Sequence, residues 1–170
     1  MAQKVKLSTI ADALKVSTAT VSLALRDSPL VAEATREKIK EQASLLGYIY
    51  NRRAASLRTS RSGIVGVVVH DIMNPFYAEI LRSIETELDK SRQTFVLSNH
   101  YDSVEKQRNF LETLMQLGAD GVIMSPAIGT PASDIKLAED NGLPAVLIAR
   151  SIENAAVPVF RGDDSFGIGL

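Results

Sequence analysis

Residues Val16–Leu25, VSTATVSLAL, decide how the first third of the chain folds. Ser17 stands where a side-chain oxygen can accept from a backbone N–H one turn into a helix, which suits a sharp turn after Val16. Val21, Ala24 and Leu25 recur at i, i+3 and i+4 and face a small core, leaving Thr18, Ala19, Ser22 and Leu23 outside. That outer face is built of small and mostly polar side chains, so it can approach another surface closely.

Outward from this stretch, LSTIADAL predicts a first helix over 7–14, with Ser8 or Thr9 as its cap and Ile10, Ala11 and Leu14 on one face. Residues 15–17 are the short connection of a helix-turn-helix. A third helix is expected over 33–46, with Ile39, Ala43 and Leu46 inward and Gly47 as its stop. The segment YIYNRRAASL (48–57) supports barely two helical turns from Asn51, which are marginal unless something holds them. Residues 58–63, RTSRSG, form a polar tract that marks a domain boundary.

Past Gly63 the pattern becomes alternating strands and helices. IVGVVV (64–69) is a continuous run rich in β-branched residues, as expected of a strand covered on both faces. Helices are expected at 77–91, 104–117 and 133–141, and strands at 95–98, 121–124 and 145–148, with a weak strand at 157–160. Repeated βα units imply a parallel, right-handed, three-layer sheet domain whose ligand cleft is lined by loops at strand carboxyl ends. The fold class expected is therefore an all-α helix-turn-helix head plus an α/β parallel three-layer sheet. Residues 166–170 read as another helix that has only begun, so the sheet stops mid-fold.

The 170 residues are 45% apolar, enough for a real core. There is no cysteine, which excludes disulfides and thiolate metal sites. No run approaches a membrane span, and MAQKVKLST lacks a signal peptide's apolar core, so the simplest compartment is the cytoplasm. The net charge of −1 hides an asymmetry: residues 1–62 hold 11 Lys and Arg against 5 Asp and Glu, whereas residues 63–170 hold 8 against 15. A basic head on an acidic body is expected where the head alone meets a polyanion; solvated basic faces are the plainer alternative.

Over its whole length the chain resembles the LacI/GalR family of bacterial transcriptional repressors. The resemblance rests on LSTIADALKVSTATVSLAL, VAEATREKI, GYIYNRRAASLR and SGIVGVVVHDIMNPFYAEI, supported by GADGVIM and GLPAVLIAR. Within the family it leans toward the maltose-regulon repressors. It implies a helix-turn-helix DNA-binding domain at 1–49, a hinge helix and linker at 50–62, and a partial effector-binding domain at 63–170, like the first lobe of a periplasmic binding protein. It also implies a homodimer on palindromic double-stranded operator DNA, a small-molecule effector such as a sugar, and no enzymatic activity, cofactor or metal.

Residue by residue, the resemblance places Thr18 and Ala19 at base edges in the major groove and Ser17, Thr20 and Ser22 at phosphates; hydroxyls and helix N-termini suit that second role. The plainer alternative for Thr20 and Ser22 is ordinary helix surface, and for Ser17 a cap alone; it would win for an isolated helix but not within this block. Leu23 replaces an Arg common in relatives; Leu donates nothing to guanine but can touch a thymine methyl. Ala32 replaces a capping Ser, a loss of roughly 1 kcal/mol and of one phosphate anchor. Asn51, Arg52, Ala54 and Leu57 match the hinge pattern, with Leu57 as a minor-groove wedge or, alternatively, a residue packed on the bundle. Tyr48 and Arg52 are expected at the DNA backbone.

For the effector, strand-end logic and the resemblance together name Asp71, Asn74, Pro75, Phe76 and Tyr77, then Asn99 and His100, then Ser125, Arg150 and Asp164. Phe76 or Tyr77 can stack on a sugar's apolar face while Arg150 and Asp164 hold hydroxyls. Ala149 stands where many relatives carry Asp, which weakens the hydroxyl contact there. His70, at the end of a buried strand, reads as structural. Relatives continue well beyond this length, so these residues supply half a cleft, and poor effector binding and weak dimerisation are expected of 170 residues alone. Three rivals are a periplasmic-type solute-binding protein, which has no use for residues 1–62, an α/β enzyme, for which no P-loop, dinucleotide fingerprint or nucleophile elbow is present in the sequence, and a truncated short form that lacks effector control and titrates partners without controlling a gene.

Overall fold

The computed structural model describes residues 5–49 and 61–162. The chain divides into two compact units between Ala55 and Ser56. In the first unit, α1 (Leu7–Leu14), α2 (Thr18–Ala24) and α3 (Glu33–Leu45) enclose Ile10, Ala11, Val21, Ala24, Val31, Ile39 and Ala43. The expected caps of α1 are corrected: Lys6 is the cap residue, and Thr9 lies inside the first turn, where its Oγ1 accepts from the Lys6 N–H at 3.4 Å. A hydroxyl three residues past the cap satisfies from within the donor that a cap leaves open. α3 ends at Leu45, one residue earlier than expected, and Gly47, at φ +65, turns the chain after it as expected.

The second unit is a five-stranded, wholly parallel sheet in the order β2-β1-β3-β4-β5. Its strands are β1 (Ile64–Val69), β2 (Thr94–Asn99), β3 (Gly121–Met124), β4 (Ala145–Ile148) and β5 (Val159–Phe160), with helices α4 (Pro75–Lys90), α5 (Val104–Leu117) and α6 (Ala132–Asp140) between them. Side chains alternate across β1, so Val68 joins Leu111, Leu114 and Ile135 under α5 and α6, while Val67 and Val69 join Tyr77, Ile80 and Ile84 of α4. Both faces are thus covered, which gives the three layers expected.

Two boundaries moved for identifiable reasons. α4 starts at Pro75 because Asn74 Oδ1 accepts from the Phe76 N–H at 3.0 Å, and proline at the first helical position gives up no needed donor. β5 shrinks to Val159–Phe160 because Pro158 has no N–H for the ladder, although its carbonyl accepts from Leu147 N–H at 2.8 Å. Among the described residues no helix is long and apolar enough to cross a membrane. Residues 166–170, expected to begin a helix, lie outside the described residues.

Candidate functional site

On the head, α2 presents its first turn outward. Ser17 caps it: Oγ accepts from the Thr20 N–H at 3.0 Å and shares a hydrogen bond with Thr20 Oγ1 at 2.9 Å. Ser17, Thr18 and Ala19 are exposed, Thr20 and Ser22 are half-buried, and Val21 and Ala24 are fully buried beneath them. The two buried residues therefore fix which side of a seven-residue helix faces out. Leu23 departs from expectation: it is half-buried and packs against the head's core. A long apolar side chain on the last turn folds back over so small a core, and the turn is held there by the Arg26 and Ser28 N–H groups, which both donate to the Leu23 carbonyl. Leu25, expected to face the core, is half-buried and packs against it. Ala32 caps α3 with no side-chain bond, as its residue type requires. Tyr48 is half-buried against the same core and its N–H donates to Ala43 O at 2.8 Å. Asn51, Arg52, Ala54 and Leu57 lie outside the described residues.

In the sheet unit the strands' carboxyl ends bring together a polar cluster. Asp102 lies at its centre: Oδ1 accepts from Arg150 Nη1 at 2.5 Å and from the Ile128 N–H at 3.2 Å, and Oδ2 lies 3.2 Å from His70 Nδ1. Burial pushes the Asp102 carboxyl up, but the Arg150 hydrogen bond, the Ile128 N–H and the nearby positive charge outweigh it and hold it below its ordinary value. Arg150 Nη1 also donates to Pro126 O at 3.2 Å. Sequence reasoning missed Asp102, three residues past β2. Tyr101 and Asp102 take successive left-handed conformations, φ +50 and +59, which turn the carboxylate back over the sheet end.

Several expected effector residues do other work. His100 is fully buried; its Nε2–H donates to Ser125 O at 2.7 Å and its Nδ1 accepts from the Asp102 N–H at 2.9 Å. Burial lowers its pKa below the ordinary histidine value, so the neutral ring locks the β2 turn to the end of β3. Ser125 is also fully buried and shares a 2.9 Å hydrogen bond with Tyr77 Oη. Tyr77 is therefore inside, and Phe76, half-exposed and edge-on to it at 5.1 Å, is the ring that offers a face.

Asp71 Oδ1 accepts from the Met73 N–H at 2.9 Å, and Asn74 with Pro75 starts α4. Asn99 Nδ2 donates to Tyr101 Oη at 3.1 Å, while its Oδ1 is buried without a hydrogen-bond partner. His70 meets the His100 ring edge-on at 5.8 Å, and its Nδ1 makes no hydrogen bond despite the nearby carboxylate. A hollow of about 420 Å³ beside Arg150 is lined by Pro126, Ala127, Ile128, Thr130 and Ile152. The ligand atoms of His70, His100 and Asp102 lie within 4.8 Å of one another, but both His100 nitrogens are spent on protein partners and Arg150 occupies Asp102. Asp164 lies outside the described residues.

A helix-turn-helix unit followed by a parallel-sheet unit of the periplasmic-binding type defines the class of protein. Two family models match it: bacterial regulatory proteins of the lacI family over residues 6–51, and the periplasmic binding proteins and sugar binding domain of LacI family over residues 62–169. The chain belongs to the LacI family of bacterial regulatory proteins. It is 31% identical over 164 residues to the maltose regulon regulatory protein MalI of Escherichia coli K12, covering 96% of this chain and 48% of that protein. It is 32% identical over 161 residues to the ribose operon repressor of Halalkalibacterium halodurans, covering 95% and 47%. The chain spans about half the length of these curated relatives. Among solved structures, a LacI-family transcriptional regulator from Silicibacter pomeroyi matches with a TM-score of 0.75 at 26% identity, over 91% of this chain and 46% of that one. The lac repressor dimer bound to operator and the anti-inducer ONPF matches with a TM-score of 0.72 at 23% identity, over 95% and 49%, a likeness of fold.

Proposed function

We propose that the chain reads double-stranded operator DNA through α2 and carries one wall of a site for a small polyhydroxylated effector, a sugar, in a transcriptional repressor. The observation that carries this reading is the outer face of α2: Ser17, Thr18 and Ala19 stand exposed on a first turn that Val21 and Ala24 anchor from below. Small side chains let the helix enter a major groove, and its hydroxyls and amino end suit phosphates. Ser17 and Thr20 already orient each other, so a phosphate contact there needs little further ordering. The working unit is a homodimer on a palindrome, since one such head offers few contacts. Residues 51–57 act as the hinge, with Leu57 in the minor groove.

At the sheet's carboxyl ends, Phe76 supplies a stacking face, and Arg150, Asp102, Asp71 and Asn99 supply hydrogen bonds to hydroxyls. Asp164 joins them in this reading. The roles named for MalI and the ribose repressor support regulation over catalysis, and a DNA-reading role fits a cytoplasmic protein. The test is a gel-shift against a palindrome selected from a randomised library, run at low and moderate salt. Specific binding over scrambled duplex is expected; steep salt dependence with no sequence preference would overturn the reading.

A further inference from the structure

The two residues that lead into β1 are held by one side chain from the start of the neighbouring strand β3. Asp120, just before β3, accepts at Oδ1 from the Ser62 N–H at 2.7 Å and the Ser62 hydroxyl at 3.1 Å, and at Oδ2 from the Gly63 N–H at 3.0 Å. Ser62 Oγ in turn accepts from the Ile64 N–H at 3.1 Å. Backbone bonds flank this clasp: the Asp120 N–H donates to Ile64 O at 2.7 Å, and the Thr94 N–H donates to Gly63 O at 2.9 Å. Gly63 bends here at φ +72.

A sheet needs its ladder only from Ile64 onward. Three bonds to one carboxylate ahead of that point fix the path of the chain before the strand begins, and bonds to a charged acceptor are the strong ones. What lies on the amino side of this point is the segment joining the sheet to the head. β3 carries the clasp at one end and Ser125 at the other, roughly 16 Å away at the usual rise per residue. The strand is bonded to β1 at both limits, through Asp120 N–H to Ile64 O and Ser125 N–H to Val68 O. A short strand paired along its length moves as one piece. Ser125 is the residue that Tyr77 and His100 grip beneath the polar cluster.

We propose that Asp120 is a positioning residue for DNA reading: its carboxylate sets the direction in which the linker leaves the sheet and ties that direction to β3. The inference rests on the DNA-reading role proposed above. The test compares Asp120→Asn and Ser62→Ala with the parent 170-residue chain by amide hydrogen exchange, by trypsin cleavage at the Arg61–Ser62 bond, and by affinity for the palindrome that the parent selects. In Asp120→Asn an NH2 group meets one of the backbone donors. The Ser62 and Gly63 amides and the Arg61–Ser62 bond are then expected to open about tenfold more often, with Val67 and Val69 exchange within about twofold of the parent. DNA affinity is expected to fall by about tenfold, with Ser62→Ala, which keeps the backbone contacts, in between.

Equal loss of protection at Val67 and Val69 would overturn the proposal, since the carboxylate would then only stabilise the sheet. Freed amides with unchanged DNA affinity would overturn it too. A parent chain with no DNA affinity sinks the DNA-reading role itself, and the exchange data, which involve no DNA, tell that failure apart from failure of the clasp.

Discussion

Arg150 Nη1 donates to Asp102 Oδ1 at 2.5 Å, joining the turn after β4 to the turn after β2 across the ends of the two strands that lie between them. Both side chains are about one-third exposed, so solvent screens the pair, and Asp102→Asn is expected to cost about 1 kcal/mol at pH 7, read from the denaturant midpoint of the sheet unit. The Asp102 carboxyl is held below its ordinary value, so its contribution is fully present above the unfolded-state value and is lost as pH falls through the folded one. The parent and Asp102→Asn curves should therefore differ at neutral pH and converge once the pH has fallen through the folded-state value of Asp102. Coincident curves would mean the pair adds nothing to stability, and a constant offset at every pH would mean that the Asp102 charge is not what stabilises.

His100 sets a second, separate pH window. Its folded pKa is lowered by burial, so between the ordinary histidine value and the folded one the unfolded chain binds a proton that the folded unit refuses. Stability is expected to fall as pH drops from about 6.5, with a slope of at most about 1.4 kcal/mol per pH unit. His100→Gln should remove that slope whatever its own baseline stability. The direct check is an NMR titration of the ring, which should still report neutral His100 below the pH at which an exposed histidine is half-charged.

These two residues mark where the sequence was legible and where it was not. β1, β3, β4 and α5 stand at the residues their patterns mark, because β-branched runs bounded by Gly and turn residues leave little choice of limits. Gly118, for instance, closes α5 at φ +63. The site was harder: strand-end position says that Tyr77, His100, Ser125 and Arg150 lie at the correct end, but not which way each points. Tyr77, His100 and Ser125 turn inward to bond one another's elements, and Asp102 reaches the cluster through two left-handed residues that no periodicity announces. Leu23 shows the same limit in the head, since helical spacing gives a direction while a long side chain folds back toward the core.

Gly66 is a packing requirement. A Cβ there would sit 2.1 Å from Leu114 Cδ1, and Leu114 is fully buried, so it has little room to move. Gly66→Ala is expected to destabilise the sheet unit by about 1–3 kcal/mol through overpacking. Adding Leu114→Ala should recover part of that loss, giving a non-additive double-mutant cycle. Simple additivity would show that the strain at Gly66 has another source.

Ala32 leaves the amino end of α3 without a side-chain cap, at φ −54 and ψ 141, a conformation that a serine can adopt. Ala32→Ser should raise head stability by about 1 kcal/mol, seen as slower exchange of the Ala34 and Thr35 amides. If the lost hydroxyl also served as a phosphate anchor, the same change should tighten scrambled and selected duplexes equally, since a phosphate contact carries no sequence information.

The role of α2 can be split by substitution. Thr18 is exposed on the first turn and Tyr48 sits half-buried beyond α3; the proposed reading puts the first at base edges and the second at the DNA backbone. Thr18→Ala should relax preference at one base position by about 1 kcal/mol, roughly fivefold, with the salt slope unchanged. Tyr48→Phe should weaken all duplexes alike, because losing a neutral phosphate contact removes affinity without information. Fluorescence anisotropy against a set of single-base variants reads both effects in one experiment. If both changes gave the same uniform loss, Thr18 would not be at a base edge, and the reading face would have to be sought elsewhere on the head.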